Sequence, residues 1–213
     1  MGGHAGSGWS TWGYRDPTDN PTVPGTRNYV LANDFVVGGQ VGCDYQYGNG
    51  VVVGAQGTFD WTQMKGRFHD AVTNNFDETA QARWYATGTG RIGYAMTPQS
   101  LLYAKGGVAF INNRYEDIQV AGFCGVPCNT VDSSPTQTRI GWTVGLGFEY
   151  MFLPNWSVFL EYNYLDFGTA AVAFPGAPPP GNTFQISQHV QTVMIGLNYR
   201  INLAPPPVVA VKY

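Results

Sequence analysis

Charged side chains are scarce in this chain. Asp, Glu, Lys and Arg make up 12% of the 213 residues, about half of their usual share in soluble domains. The formal net charge is −3, which gives no support for a nucleic-acid partner because such a partner needs a basic face. Long apolar runs are absent as well, which excludes a transmembrane helix. The N-terminus shows no signal peptide, so we expect a mature chain or one retained in the cytoplasm.

Cysteine is also rare, with three residues in the whole chain. Cys124 and Cys128 flank a Gly-Val-Pro turn, which makes a local disulfide between them possible in an oxidising compartment. A zinc site would need a second pair of ligands, and none lies nearby in the sequence. Cys43 stands alone in an alternating segment. We therefore expect neither a metal nor another cofactor.

Glycine, by contrast, is abundant, with 28 residues. The segment 86–96 contains G-x-G-x-x-G, the spacing of a dinucleotide-binding loop. Such a loop must open a helix whose N-terminus receives the pyrophosphate, but here Pro98 introduces a turn soon after the last glycine. The spacing alone is weak support for a nucleotide site, and the segment is better interpreted as a strand.

Apolar residues recur at every second position through most of the chain, the period of a β-strand with one apolar face. In the segment 138–151 one parity holds Ile140, Trp142, Val144, Leu146, Phe148 and Tyr150. The other parity there is mostly Gly, Thr and charged residues. The same alternation recurs in the segments 3–13, 35–47, 51–62, 83–94, 101–113, 156–164 and 189–201. The sequence therefore predicts eight strands.

Short and long connections alternate strictly between these strands. The short ones are Gly/Asn/Pro turns at 47–50, 97–100 and 153–155, and the long ones are the segments 14–33, 64–80, 116–137 and 168–186. This asymmetry is typical of outer-membrane barrels, with short periplasmic turns and long outer loops. We predict an all-β, eight-stranded antiparallel up-and-down transmembrane β-barrel over 1–202, followed by a Pro-rich periplasmic tail over 203–213.

Alternation alone does not say which face is the interior, since a soluble lipocalin-like barrel would place its apolar face inward. Aromatic residues of the apolar parity gather at both strand ends, as the interfacial girdles of a membrane barrel require. Near the short turns these are Tyr45, Tyr94, Tyr150, Trp156 and Tyr199. Near the long loops they are Trp9, Phe35, Trp61, Trp84, Phe110, Trp142 and Tyr162. The pattern favours a barrel in the cell outer membrane.

The polar parity then faces a lumen that only eight strands surround. Its predicted charges are Asp44, Asp60, Arg83, Arg91, Lys105, Arg139, Glu149, Glu161 and Arg200. Five cations and four anions are close to balance, and charges in a narrow lumen must be paired. An eight-stranded barrel is just wide enough for side chains to fill. We expect a salt-bridged core, with a narrow pore for ions or small solutes as the alternative.

Several segments carry a likeness to a known family: 2–9, 141–145, 154–157 and 196–200, with Glu161-Tyr162 and Asp166-Phe167-Gly168. In these segments the chain resembles the alphaproteobacterial porin-like, Opa- or RopB-type outer-membrane surface proteins, which are related to the OmpA transmembrane domain. It implies surface exposure, a role in envelope integrity and in contact with the host or environment, and no enzymatic activity. Expected partners are outer-membrane lipids and lipopolysaccharide, and a second copy or another envelope protein.

Two other classes of function remain as hypotheses. His189 and Asp166 are predicted near the outer rim on neighbouring strands, and His69-Asp70 lies in the second long loop. These groups could support acid-base chemistry, but no Ser or Cys nucleophile motif accompanies them. A barrel that binds lipid or another small molecule is the further alternative.

Overall fold

A computed structural model describes residues 1–15, 27–69, 76–119, 130–173 and 183–201. None of these residues forms a helix that could cross a membrane. The described chain is instead organised into ten antiparallel strands: β1 (Gly2–Arg15), β2 (Arg27–Gln46), β3 (Val51–Thr62), β4 (Lys65–His69), β5 (Phe76–Thr97), β6 (Ser100–Gln119), β7 (Thr130–Ser133), β8 (Thr136–Leu153), β9 (Trp156–Ala173) and β10 (Thr183–Tyr199).

Eight of these strands close into a ring. The sheet runs β5-β3-β2-β1-β10-β9-β8-β6, and pairing between β5 and β6 closes it. The short strands β4 and β7 pair with the long-loop ends of β5 and β6, where they prolong the strands β3 and β8. The eight-stranded up-and-down barrel that the alternation predicts is therefore confirmed.

The strands are strongly staggered around the ring. Paired residues can be followed once around it, from β8 back to β8, through Tyr150, Val158, Leu197, Gly3, Gly39, Phe59, Ala86, Phe110 and Ile140. The path returns to β8 ten residues before the residue at which it began, at Ile140 instead of Tyr150. Such a stagger tilts the strands against the barrel axis and sets the width of the lumen.

The strands extend further toward the long loops than the sequence predicts, which corrects the predicted loop bounds. β1 continues to Arg15, β2 begins at Arg27, β6 continues to Gln119 and β9 to Ala173. Pairing of β5 with β6 likewise begins at Phe76. The segments 16–26, 70–75, 120–129, 174–182 and 202–213 lie outside the described residues, so the predicted tail and the Cys124–Cys128 pair fall there.

The outer surface is apolar over the middle of the barrel, as membrane lipid requires. Large exposed side chains on this surface are Val37, Val41, Ile92, Leu102, Val108, Val144, Leu146, Leu160, Val193, Ile195 and Leu197. Cys43 is a free, exposed thiol on the same surface. The interior at this level holds buried Gln, Thr, Asn and charged side chains. Outside and inside are thus reversed relative to a soluble barrel.

This polarity changes toward the long loops. There the interior is a cluster of buried apolar side chains, which we call the apolar cap: Trp12, Tyr14, Val30, Ala32, Val36, Met64, Ala80, Ala82, Tyr85, Ala109, Ile111, Tyr115, Leu165, Phe167, Val172, Ile186, Val190 and Met194. The outer surface at this end carries exposed polar residues on most strands, including Asn33, Gln63, Arg114, Thr138 and Gln185. Tyr29 and Leu31 of β2 are exposed exceptions. Because the outward side chains become polar at this end, the outward apolar pattern in the sequence stops before the strands do.

Candidate functional site

The interior below the apolar cap contains a network of ion pairs, which begins near the short turns. The Arg91 guanidinium contacts both carboxylate oxygens of Asp44 and lies 3.4 Å from Glu149 Oε2. Arg200 Nη2 donates to Glu149 Oε1 at 3.0 Å, and the hydroxyl of Ser157 donates to the same oxygen at 2.5 Å. Glu149 is 1% exposed. Its charge is thus balanced by two arginines from different strands.

A second pair lies one layer deeper. Lys105 Nζ is 2.6 Å from Glu161 Oε1, and both side chains are almost fully buried. The Tyr103 hydroxyl donates to Glu161 Oε2 at 2.9 Å, and Asn163 Nδ2 donates to Oε1 at 2.9 Å. The guanidinium carbon of Arg91 stands 4.9 Å from the centre of the Tyr103 ring. Tyr103 therefore links the two ion-pair layers.

A third polar layer lies directly below the apolar cap. His4 Nε2 is 2.5 Å from Asp60 Oδ1, and Thr58 donates to Asp60 Oδ2 at 3.0 Å. A cavity of about 10 Å³ separates this pair from Lys105 and Glu161. That volume suffices for one water molecule. Side chains of the second and third polar layers line this cavity.

Arg139 is buried and forms no ion pair with a carboxylate of the described residues, contrary to the expectation that every lumen charge is paired with one. Its Nη2 donates to the carbonyl oxygens of Phe167 at 3.0 Å and Gly168 at 2.7 Å. The register of β9 against β10 shifts at this point, and Gly168 adopts a positive φ of 58°. Asp166 accepts the Gly168 N–H at 2.7 Å. The Asp-Phe-Gly segment thus forms a bulge whose carbonyls receive the arginine.

Arg83 does not lie in the lumen, which corrects its predicted place in the charge core. The pairing of β5 with β6 shifts between Ala82 and Trp84, so Arg83 is the extra residue of a β-bulge. A bulge interrupts the alternation and re-aims the side chain. Ala82 and Tyr85 are buried whereas Arg83 is exposed. Strict parity counting could not have detected this shift.

Of the nine predicted lumen charges, seven form ion pairs with one another or with His4. These seven are Asp44, Asp60, Arg91, Lys105, Glu149, Glu161 and Arg200. The interior residues that sequence reasoning missed are His4, Tyr103 and the apolar cap. His4 and Tyr103 stand on the inward parity of their strands, so counting parity could have found them. The cap could not be found from a pattern that assumes one polarity along each strand.

The predicted girdle aromatics all lie on the outer surface, where Trp84 is half-buried and the others are exposed. Contacts between strands join several of them. Phe59 packs against Trp61 and stacks on Trp84 near the long loops, with ring centres 4.7 and 5.5 Å apart. Trp156 packs against Tyr199 near the short turns, with ring centres 5.2 Å apart.

The predicted pair of His189 and Asp166 does come together at the outer rim. His189 Nδ1 lies 3.5 Å from Asp166 Oδ1 and 3.1 Å from the Tyr164 hydroxyl. No described Ser or Cys makes a hydrogen bond with His189, and Asp70 lies outside the described residues. No group of three or more described His, Cys, Asp or Glu side chains could hold a metal ion.

Comparison with known proteins agrees with this architecture. Residues 2–200 match the family model described as an outer membrane protein beta-barrel domain. The 31 kDa outer-membrane immunogenic proteins of Brucella melitensis and Brucella suis are each 32% identical over 188 residues, which cover 87% of this chain and 73% of the relative.

Among solved structures, the outer membrane protein OprG from Pseudomonas aeruginosa matches with a TM-score of 0.50 and 15% identity. The match covers 94% of this chain and 96% of OprG. At this identity the likeness concerns the fold alone. The family match and the Brucella relatives go further: this chain belongs to the outer-membrane β-barrel proteins, and its place is the outer membrane.

Proposed function

We propose that this protein is a non-conducting outer-membrane barrel that strengthens the envelope and presents its outer loops for surface contact. The observation that carries the proposal is the filled interior. Three layers of polar and charged contacts lie below an apolar cap, and the cap and the ion pairs of the two inner layers are buried. A closed interior serves as a stable core and leaves the loops as the variable, contact-making part.

The alternative of a narrow pore is disfavoured by the same interior. A passing ion would have to separate Lys105 from Glu161 and then leave the polar layers through the apolar cap. Removing one partner of a buried pair leaves an uncompensated charge, which costs about 3–5 kcal/mol. Polar groups at the level of the cap are few among the described residues; they include the amides of Asn113 and Gln188, the hydroxyl of Tyr115 and the guanidinium of Arg139.

Surface contact is supported by the length of the strands. On the long-loop side of the aromatic girdle the strands continue around the apolar cap, as in a small soluble barrel. The barrel therefore extends beyond the membrane as a packed structure from which the outer loops start. The Brucella relatives are named as immunogenic outer-membrane proteins, which supports exposure of the corresponding surface here. We assign no catalytic role, because His189 is engaged by Asp166 and Tyr164 and no described nucleophile accompanies it.

Planar-bilayer recording of the purified, folded protein tests the closed lumen. We expect no steady conductance steps after insertion. Insertion itself is verified by recovering folded protein from the membrane. A variant that truncates two large cap residues and removes the middle pair, Trp12→Ala with Met64→Ala, Lys105→Ala and Glu161→Ala, should show conductance steps in its folded form. Large, regular steps from the unaltered protein would overturn the proposal in favour of a porin.

A further inference from the structure

The barrel wall is divided at two places on the long-loop side of the aromatic girdle. Pairing of β8 with β9 ends at Trp142 and Asp166, and β9 then continues to Ala173 along β10. Pairing of β2 with β3 ends at Val36 and Thr62; from there β2 follows β1, whereas β4 follows β5. Beyond these points no backbone pairing between described residues joins β8 to β9 or β2 to β4. We call these places the β8/β9 split and the β2/β4 split.

The two splits separate the extended strands into two half-sheets. One consists of β2, β1, β10 and β9, and the other of β4, β5, β6 and β8. They face each other across the apolar cap, to which the first contributes Trp12, Val30 and Ile186 and the second Met64 and Ile111, among others. This part of the barrel is thus built like a β-sandwich, in which two sheets are held together by their packed inner faces. One half-sheet can move away from the other at a split without breaking a backbone ladder.

The β2/β4 split is closed by apolar packing. A Cβ at Gly66 of β4 would overlap Val30 Cγ1 of β2, and Trp12 Cζ3 would lie 3.3 Å from it. Val30 and Trp12 are both buried. Opening at this place would expose large core side chains to water, which is unfavourable in proportion to the apolar area exposed. This split therefore stays closed and can act only as a hinge.

The β8/β9 split is closed by a polar side chain. Arg139 of β8 reaches across it, and its Nη2 donates to the carbonyl oxygens of Phe167 and Gly168 on β9. At the base of the split the two strands touch, because a Cβ at Gly141 would overlap the Asp166 carbonyl oxygen. Arg139 Nε and Nη1 are buried and have no hydrogen-bond partner among the described residues. A buried charge that reaches only two carbonyls is poorly compensated, so this closing contact is the weaker of the two.

A carboxylate that could receive Arg139 lies at the same split, on the outer face of β9. Asp166 belongs to the segment that supplies the two carbonyls, and its side chain is 22% exposed. Its Oδ1 accepts the Gly168 N–H and lies 3.5 Å from His189 Nδ1, so Oδ2 remains to accept a guanidinium N–H. The way from the lumen to this carboxylate passes between β8 and β9, where no ladder joins the strands. The split thus offers one side chain an inner and an outer position.

We propose that Arg139 is a strap that holds the β8/β9 split closed, and that the split opens when its guanidinium moves from the carbonyls of Phe167 and Gly168 to the carboxylate of Asp166. Opening separates the two half-sheets on one side of the barrel and exposes the edge of the apolar cap there. The polar layers below the cap stay in place in both states. The strap therefore goes beyond the closed lumen, and either proposal can fail without the other.

Cysteine labelling of the folded protein in detergent micelles tests the strap. The three native cysteines are replaced by serine, and a single new cysteine is placed in the cap beside one split or the other. Ala109→Cys probes the β8/β9 split, because Ala109 pairs with Gly141, and Ala32→Cys probes the β2/β4 split from β2. Both alanines are buried. The rate at which a water-soluble maleimide modifies each position measures local opening there.

Two substitutions are expected to move the strap in opposite directions. Arg139→Met removes it, and labelling at position 109 should become about tenfold faster, the effect of losing one hydrogen bond to a charged group. Asp166→Asn keeps an acceptor for the Gly168 N–H but loses the charge that holds the outer position, so labelling at position 109 should slow roughly threefold, the effect of an exposed ion pair. Labelling at position 32 is the matched control and should change with neither.

The proposal is overturned if Arg139→Met leaves the rate at position 109 unchanged, or if it accelerates labelling at positions 109 and 32 alike, which is general loosening. An unchanged or faster rate at position 109 in Asp166→Asn overturns it as well. Gel mobility of the unheated sample verifies that each variant is folded. If Arg139→Met does not fold, Asp166→Asn still decides, because it leaves the buried arginine and its two carbonyl contacts intact.

Discussion

Lys105 Nζ lies 2.6 Å from Glu161 Oε1 in the middle of the lumen, with both side chains at most 4% exposed. The two residues come from β6 and β9, which are not paired neighbours in the ring. Only β8 lies between them, so the contact ties two next-nearest strands together across the inner face of β8. Tyr103 and Asn163 donate hydrogen bonds to the same carboxylate.

The first prediction concerns this pair. Lys105→Met and Glu161→Gln should each lower the free energy of unfolding by about 3–5 kcal/mol, because each leaves a partner charge buried and alone. The double variant should lose less than the sum of the two. Urea titration in micelles, followed by the gel shift between folded and unfolded barrel, measures all three. Strict additivity would show that the pair does not act as a unit.

The second prediction compares two tryptophans on β1. Trp12 is fully buried in the apolar cap, whereas Trp9 is 44% exposed on the outer face. Trp12→Ala should cost about 3–5 kcal/mol of unfolding free energy, the loss expected for a large core residue. Trp9→Ala removes the same side chain without a core cavity and should cost clearly less. Equal losses in the same urea titration would contradict a packed cap.

The third prediction concerns Gly147, which makes room for the ring of Tyr103. A Cβ at position 147 would collide with the tip of that ring, and the ring could move only by giving up its hydrogen bond to Glu161. Gly147→Ala should therefore destabilise the barrel by about 1–3 kcal/mol. Gly90→Ala is the control, because its Cβ would meet only Gly54 O at 4.0 Å. Destabilisation by both variants alike would argue against a specific contact.

The fourth prediction concerns the bulge at Gly168. A Cβ there would meet no atom within 4 Å, so the cost of Gly168→Ala comes from its φ of 58° and should be about 1–2 kcal/mol. Gly168→Asn should cost less, since asparagine tolerates this conformation. Thermal unfolding in micelles distinguishes the two. An alanine variant as stable as the unaltered protein would show that the bulge relaxes to ordinary strand geometry.

The alternation of side chains determined the strand number, the up-and-down topology and the inward parity of most lumen charges. It did so because successive side chains of a strand point to opposite faces, so the residues that share one face recur at every second position of the sequence. The short turns indicated which consecutive strands pair as antiparallel neighbours. Asp44, Asp60 and Glu161 could therefore be assigned to the interior before any coordinates.

Only the tertiary structure decided the features that depend on the register between strands and on closure of the ring. The bulge that turns Arg83 outward arises from a shift in pairing between β5 and β6, which no local pattern in β5 records. The carbonyl partners of Arg139 exist only because β9 bulges at Gly168. The apolar cap also required the closed ring, since above the membrane the same strands face water outside and one another inside, and burial then reverses which parity must be apolar.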